Sequence, residues 1–313
     1  MKLKVRHNQM AIPKQQSEGI VVAIWAEEKC HKTSMALSFP KPIYHFDLDV
    51  GGFRRAAWRE PIPEWMRKGW VISKSYPIPI QADKLMGPAV GTTQGKFTVK
   101  MPKKLFGYRE TWQSIMADFI GLLDEDSIRT IVIDSATELW KIAHRTELQI
   151  KQEKQFAADP KLPDEKVRES LQSMEYGPPN DRMRNLLYAA RAKGKNLVLT
   201  HYPTPVYASK MDEKGQMISY DTGAVQMDGF KDTPKLVDLI LKLKLEKVVV
   251  NPEADKKDQQ KDWMSSATID VCGLPGLGTS VQGLTLPARY SAIRDLADNL
   301  GYQMEPEFPE EAV

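Results

Sequence analysis

The chain has 313 residues, 42% of them hydrophobic, and a formal net charge of +3 from 44 basic and 41 acidic side chains. This composition suits a globular core and excludes wholesale disorder, while the near balance of charge excludes a strongly electropositive nucleic-acid binder but not a local basic patch. The longest uninterrupted apolar stretch, 20–26, has seven residues, whereas a membrane helix needs about 20, so we expect no membrane span.

The amino-terminal residues and the cysteines bear on the compartment. The opening residues, MKLKVRHNQM, are basic but lead into no apolar segment, so we expect no secretion signal. The two cysteines, Cys30 and Cys272, cannot make a disulfide framework or a four-cysteine zinc site. Both observations favour a protein of the reducing cytoplasm.

Short apolar runs alternate with helix-like segments along the chain. The predicted strands are 19–25, 42–49, 129–134, 196–200, 237–250 and a short 268–271. The predicted helices are 32–39, 109–123, 137–154, a helix capped by Asn180 or Asp181 and ending at Ala192, and 287–300. This alternation predicts an α/β fold with a mostly parallel central sheet and helices on both faces.

Three segments interrupt this pattern. Residues 54–107, rich in proline, are predicted to be an irregular insertion, and residues 251–262 a solvated loop. Within the insertion, Trp58, Trp65 and Trp70 lie near several arginines, which favours either a docking face or simple anchoring onto the core. The segment 202–233 interleaves lysines with tyrosines, a pattern typical of single-strand binding but also of a solvated surface hairpin.

The junction between the first predicted strand and the next helix carries the strongest chemical signal. A phosphate-binding loop has the pattern G-x-x-x-x-G-K-[ST], and Lys32 and Thr33 occupy its last two positions. In such a loop, backbone N–H groups surround the phosphates, the lysine reaches the β and γ oxygens, and the threonine hydroxyl binds Mg²⁺. Both glycine positions differ, because Ala26 stands at the first and His31 at the second. An ordinary strand–helix connection therefore remains an alternative.

The predicted nucleotide-binding residues of this loop are Glu27, Glu28, Lys29, Cys30, His31, Lys32, Thr33 and Ser34. We expect the Lys32 side chain to face solvent when no ligand is bound, because its charge is there to meet the phosphates.

Two further positions fall at the carboxyl ends of predicted strands, where ligands bind in α/β folds. Asp134 ends the run IVID and matches the acid that joins the Mg²⁺ shell, although a helix-capping role is an alternative for this Asp-Ser pair. His201 ends the run NLVLTH, where a structural histidine is the alternative.

No position matches a water-activating residue convincingly. Asp47 and Asp49 end the second predicted strand, and their alternation directs both side chains to the same face, so either is a candidate to face the γ-phosphate. Capping of the turn at Gly51-Gly52 is the alternative role, and Glu138 is a weaker candidate.

Taken together, these segments resemble the RecA-like P-loop ATPases encoded by bacteriophages, the group that includes phage single-strand annealing ATPases. The resemblance lies in AEEKCHKTSMALSFP, PIYHFDLDVGG, IVIDS and NLVLTHY, and it spans about residues 17–245. It implies a RecA-like fold with ATP and Mg²⁺ as cofactors, Lys32 as the phosphate lysine, and Thr33 and Asp134 as the magnesium-binding pair. It also implies that His201 senses the γ-phosphate and that 202–233 contacts DNA. The departures at Ala26 and His31 leave hydrolysis open.

We therefore predict a single-domain ATP-binding RecA-like P-loop NTPase of the bacterial host cytoplasm, acting in phage DNA recombination, repair or replication. Its predicted core is about 17–250, followed by strands and a helix in 251–313. Single-stranded DNA is the predicted partner, and a homo-oligomer is compatible with the resemblance. A pseudo-ATPase that serves as a DNA-binding or scaffold protein is the first alternative. A small-molecule kinase on the same scaffold is the second, but the sequence offers no recognisable lid or acceptor site for it.

Overall fold

A computed structural model of the protein describes residues 19–48, 51–79, 103–211, 216–249, 253, 261–274 and 277–309. Its strands are β1 (Val21–Trp25), β2 (Ile43–Asp47), β3 (Val71–Ser75), β4 (Thr130–Asp134), β5 (Asn196–His201), β6 (Pro203–Met211), β7 (Met217–Met227), β8 (Leu239–Val249), β9 (Lys261–Cys272) and β10 (Thr285–Pro287). Its α-helices are α1 (Lys32–Ala36), α2 (Gly52–Ala56), α3 (Ile62–Arg67), α4 (Tyr108–Leu123), α5 (Ala136–Ala158), α6 (Gly177–Ala192), α7 (Thr233–Leu236) and α8 (Tyr290–Asn299).

One eight-stranded sheet organises the described residues, in the order β10-β9-β8-β1-β5-β4-β2-β3. The strands from β8 to β3 run parallel, and β9 and β10 continue the sheet antiparallel. Strand β5 separates β1, which leads into the predicted phosphate loop, from β4, which ends in Asp134. The predicted α/β fold with a mostly parallel central sheet is confirmed.

The central strands are buried on both faces, which explains why they are continuously apolar rather than alternating. Alternate residues of β1 enter different cores: Val21 and Ala23 pack under α4, α5 and α6, whereas Val22 and Ile24 pack under α1, α3 and α8. The helices therefore cover both faces of the sheet, and the carboxyl edge of the parallel strands remains as the place for a site.

The prediction that 54–107 is irregular is wrong for its first part. Helices α2 and α3 and strand β3 occupy it, and β3 extends the sheet by pairing in parallel with β2. Residues 80–102 lie outside the described residues. The two helices have five and six residues, too few for the local pattern to carry much periodic signal. The pairing with β2 makes 71–75 a strand.

The three tryptophans of this segment differ in burial, which bears on whether they form a docking face or anchor the insertion onto the core. Trp65 is buried, with the Lys41 ammonium 3.8 Å from its ring centre, and Trp70 packs against Phe308 of the carboxyl-terminal segment at a ring distance of 5.0 Å. Both therefore anchor the insertion. Trp58, by contrast, is 84% exposed.

Two element boundaries differ from prediction for identifiable reasons. Helix α6 begins at Gly177 and not after a cap at Asn180 or Asp181, because Pro178 and Pro179 fit the first turn of a helix, where no N–H partner is required. Strand β9 begins at Lys261 instead of 268, because it pairs with β8 over its whole length. The pairing runs from Leu239 opposite Cys272 to Val249 opposite Lys261. The predicted loop 251–262 is therefore partly strand, and most of its remainder lies outside the described residues.

The segment after β5 forms an antiparallel pair of strands, β6 and β7, outside the main sheet. We call this pair the ribbon. Most of its residues are exposed, so the surface-hairpin interpretation holds for its architecture.

Candidate nucleotide-binding site

The carboxyl edge of the sheet brings together residues that are far apart in sequence. The Thr33 hydroxyl donates a hydrogen bond of 2.5 Å to Asp134 Oδ2, across 101 positions of the chain. The Thr200 hydroxyl donates to Asp134 Oδ1, and His45 Nε2 lies 3.5 Å from Asp134 Oδ2. The two residues predicted to hold Mg²⁺ are therefore in direct contact.

Asp134 is the electrostatic centre of this cluster, and it is only 1% exposed. Burial by itself would raise its pKa, but nearby His45 and the hydroxyl donors Thr200 and Thr33 outweigh burial and leave the pKa below the ordinary value. The carboxylate is therefore ionised at neutral pH. The helix-capping role falls to its neighbour Ser135, whose Oγ accepts from the Glu138 N–H at 3.3 Å.

Lys32 is buried, at 7% exposure, so the expectation that it faces solvent is wrong. Its ammonium donates to the carbonyl oxygens of Ala26 and Glu27 at 2.8 and 3.0 Å and lies 4.4 Å from the ring centre of Tyr202. The loop folds back over its own lysine because a buried ammonium must be hydrogen-bonded. The positive charge nevertheless sits inside the loop, as phosphate binding requires.

The second substituted glycine position has the backbone conformation that glycine normally supplies. His31 has φ of +65°, in the left-handed region, and Lys29 has the same value. Such a conformation costs a residue with a Cβ roughly 1–2 kcal/mol. The His31 Nδ1 atom lies 2.9 Å from Ser265 Oγ on β9, and burial, helped by the nearby Arg59, lowers the His31 pKa. The imidazole is therefore neutral at pH 7 and hydrogen-bonded to strand β9.

The other predicted loop residues differ in burial. Glu27, Glu28 and Lys29 are exposed, whereas Cys30 and Ser34 are half-buried. Thr33 is buried, at the start of α1. The charged side chains of 27–29 thus face outward, whereas Lys32 and Thr33 face inward.

Two arginines that the motif search did not assign to the site lie at the mouth of the loop. Arg55 on α2 and Arg59 just beyond it line the same cavity as Lys32, Thr33 and Tyr202, and Arg59 Nη1 lies 3.4 Å from Ser34 Oγ. The cavity measures about 40 Å³, which is smaller than a nucleotide requires. The available signal was the cluster of arginines after the second strand, but only tertiary structure shows which of them face the loop.

His201 lies at the predicted edge but is fully buried. Its Nδ1 is 2.7 Å from the carbonyl oxygen of Asp228, so this nitrogen carries a proton, and its Nε2 has no hydrogen-bond partner among the described residues. Burial lowers the pKa to about 4; the Asp228 hydrogen bond opposes that shift and Lys32 adds to it. Neutral His201 therefore offers an acceptor at Nε2, and it would have to gain a proton to donate to a phosphate.

Gly229 makes room for this histidine. Its φ is +119°, and a Cβ there would lie 3.2 Å from His201 Nδ1. The neighbouring Thr137 hydroxyl donates to the Asp228 carbonyl and accepts from the Tyr202 N–H. The start of α5 and the segment after the ribbon are thus joined behind the edge of the sheet.

Three acids are the candidates for the water-activating residue. Asp47 is half-buried and pairs in register with Asp134, so the two side chains leave the sheet on the same face. Asp49 lies outside the described residues. Glu138 forms an ion pair of 2.6 Å with Lys141 on α5. Of the three, Asp47 is the one in register with Asp134.

A larger cavity, of about 480 Å³, lies elsewhere. Trp140, His144 and Arg145 of α5 line it together with Tyr176. It contains none of the predicted nucleotide-binding residues. Its size alone does not make it the site, because the phosphate-loop residues converge at the smaller cavity.

Within the described part of the chain, no helix has both the length and the apolar character needed to cross a lipid bilayer. No family model matches this chain, and no curated protein does. Among solved structures, a KaiC-like protein from Pyrococcus horikoshii is similar at 12% identity and a TM-score of 0.39, covering 86% of this chain and 85% of that one. The flagellar accessory protein FlaH from Methanocaldococcus jannaschii is similar at 10% identity and a TM-score of 0.35, covering 81% and 78%. Both likenesses are distant.

Proposed function

We propose that this protein binds a nucleoside triphosphate, ATP in the first instance, at the loop 26–34. The observation that carries the proposal is the contact between Thr33 and Asp134, 2.5 Å apart, beside the buried ammonium of Lys32. A hydroxyl, an ionised carboxylate and an ammonium at one strand-to-helix junction are the groups that hold a magnesium–triphosphate complex.

The residues present fit Mg²⁺. Thr33 and Asp134 offer oxygen ligands only, which suits this hard cation. Asp134 is ionised, because the donors around it hold its pKa down. Thr33 and Asp134 would hold the ion, which when bound neutralises charge on the phosphates; Lys32 would contribute a second positive charge.

We further propose that the bound nucleotide is hydrolysed, with Asp47 or Asp49 orienting the attacking water and His201 responding to the γ-phosphate. Asp47 supports this proposal by its register with Asp134. For His201, the approach of a phosphate would favour the protonated imidazole, which can then donate. A pseudo-ATPase is the second candidate function, favoured by the left-handed His31 at a glycine position and by the small cavity.

Single-stranded DNA is the proposed partner of the ribbon. Tyr207 is 63% exposed, and Lys210 lies over the ring of Tyr220 at 5.1 Å, so aromatic faces and one cation are available to bases and phosphates. A role in phage recombination, repair or replication stays a prediction from the resemblance, as does a homo-oligomer.

The test is ATP binding by calorimetry, at fixed Mg²⁺, to the wild type and to Lys32→Ala. We expect the wild type to bind and the variant to lose measurable affinity. Lys193→Ala is the matched control, because Lys193 is exposed and lies at the opposite edge of the sheet, pairing with Asp124. Equal ATP affinity in the wild type and Lys32→Ala, with unchanged unfolding temperatures, would refute the site.

A further inference from the structure

Arg55 and Arg59 lie on the segment that follows β2, outside the phosphate-loop motif. Arg55 is near the end of α2 and Arg59 is four residues later, just beyond the helix. Both line the small cavity together with Lys32 and Thr33. Arg59 reaches furthest, with its Nη1 atom 3.4 Å from the hydroxyl of Ser34, the residue after Thr33.

The charges around this cavity are unbalanced. Lys29, Lys32, Arg55 and Arg59 line it, and Glu28 is the carboxylate among its described lining residues. Neither arginine forms an ion pair with another described residue. Burial lowers the pKa of Arg59, and Arg55 adds to this by repulsion. Two arginines without ion-pair partners among the described residues, beside further cations, attract an anion.

A polyphosphate is the anion whose chemistry fits. A guanidinium presents a planar fork of donors that matches phosphate oxygens, and such charge-assisted hydrogen bonds are about twice as strong as neutral ones. The cations at the mouth and the lysine inside the loop line the same cavity. A single phosphate would meet only some of these cations.

We propose that Arg55 and Arg59 bind the phosphate chain of the nucleotide and make the site selective for nucleoside triphosphates over monophosphates. This inference rests on the proposed function, because it assigns a specificity to the same cavity. It also supplies positive charge at a loop that lacks both glycines, where backbone N–H groups have less freedom to approach the phosphates.

The experiment measures binding of ATP, AMP and inorganic tripolyphosphate to the wild type, Arg55→Ala, Arg59→Ala and Arg59→Lys. We expect each alanine variant to lose about tenfold in affinity for ATP and for tripolyphosphate, as for loss of one charge-assisted hydrogen bond. Affinity for AMP should change less than twofold, so the preference for ATP falls. Arg59→Lys should recover only part of the loss, because an ammonium lacks the fork.

Arg54→Ala is the matched control, since Arg54 belongs to the same helix and is exposed but does not line the cavity. It should bind all three ligands like the wild type. The inference is overturned if both alanine variants keep wild-type affinity for tripolyphosphate, or if Arg54→Ala loses as much as they do. Lys32→Ala, measured alongside, reports on the proposed function separately. A wild type that binds neither ATP nor tripolyphosphate overturns both.

Discussion

The phosphate-loop site and the ribbon are built in opposite ways. The site is assembled from contacts between distant residues, such as Thr33 with Asp134 and His31 with Ser265, and its central carboxylate is buried. The ribbon consists of neighbouring strands that pair with each other, and nearly all of β7 is exposed. A two-stranded ribbon by itself is marginally stable in water.

Charge separates the two regions as clearly as burial does. Cations crowd the mouth of the phosphate loop, whereas the described residues of β6 and β7 carry one lysine, Lys210, and one aspartate, Asp221. This distribution of charge suits the small, highly charged anion proposed for the loop. If the ribbon binds DNA, stacking on tyrosines must contribute more than phosphate neutralisation. Mutations that affect one region and spare the other test this difference.

The largest effect is expected from Asp134→Asn. Removing the charge of this proposed metal ligand should lower ATP affinity in the presence of Mg²⁺ by about 100-fold. The enhancement of ATP binding by Mg²⁺ should then disappear. The measurement is ATP affinity with Mg²⁺ and with a chelator. Asp124→Asn is the control, because Asp124 is exposed and pairs with Lys193 at the opposite edge of the sheet. An unchanged Mg²⁺ enhancement in Asp134→Asn would remove this residue from the metal site.

The ribbon should respond to loss of its tyrosines. Tyr207→Ala combined with Tyr220→Ala should weaken binding of a labelled oligothymidine by about 10-fold or more, since each stacked base contributes about 1–3 kcal/mol. ATP affinity should not change. Tyr188→Ala, an exposed tyrosine on α6, is the control.

The salt dependence sharpens this prediction. Each phosphate contact on a single strand contributes a slope of about −0.7 to the plot of log affinity against log salt. With Lys210 as the lysine of the described ribbon, we expect a slope near that of one contact. A slope of several contacts, unaffected by the tyrosine substitutions, would place the DNA elsewhere.

His31→Gly tests whether the loop is held away from productive geometry. Glycine adopts φ of +65° without strain, and removing the imidazole opens the turn, so we expect ATP turnover to rise roughly tenfold; displacements of about 1 Å can cost up to about 10²-fold. Ser265→Ala is the control, because it removes the hydrogen bond to His31 but keeps the His31 imidazole. Lower turnover of His31→Gly throughout pH 6–8 would mean that the imidazole assists the reaction.

The last prediction concerns stability and His201. Its pKa is about 4 in the folded chain against 6.5 ordinarily, so the unfolded chain binds the proton first as pH falls. The folded state therefore loses stability between about pH 6.5 and 4, by up to about 3 kcal/mol from this group. His201→Gln should flatten the pH dependence of the unfolding free energy in that window. An identical dependence in both proteins would contradict the burial of a neutral His201.

The sequence by itself determined the α/β class and the succession of central strands and helices along the chain. Runs such as IVID and NLVLT are apolar because both faces of a parallel sheet are covered, and that requirement can be read locally. It also placed Lys32 and Thr33 at the start of the helix after the first strand and Asp134 at the end of a later strand, from which their meeting at one edge follows.

Only the tertiary structure decided what surrounds those residues. Strand β3 and the length of β9 depend on pairing with β2 and β8, which no local pattern reports. The burial of Lys32, the link from His31 to Ser265 across 234 positions, and the approach of Arg55 and Arg59 to the loop arise from side chains brought together by packing. Periodicity records which face of an element is apolar, but not which distant side chain will lie against it.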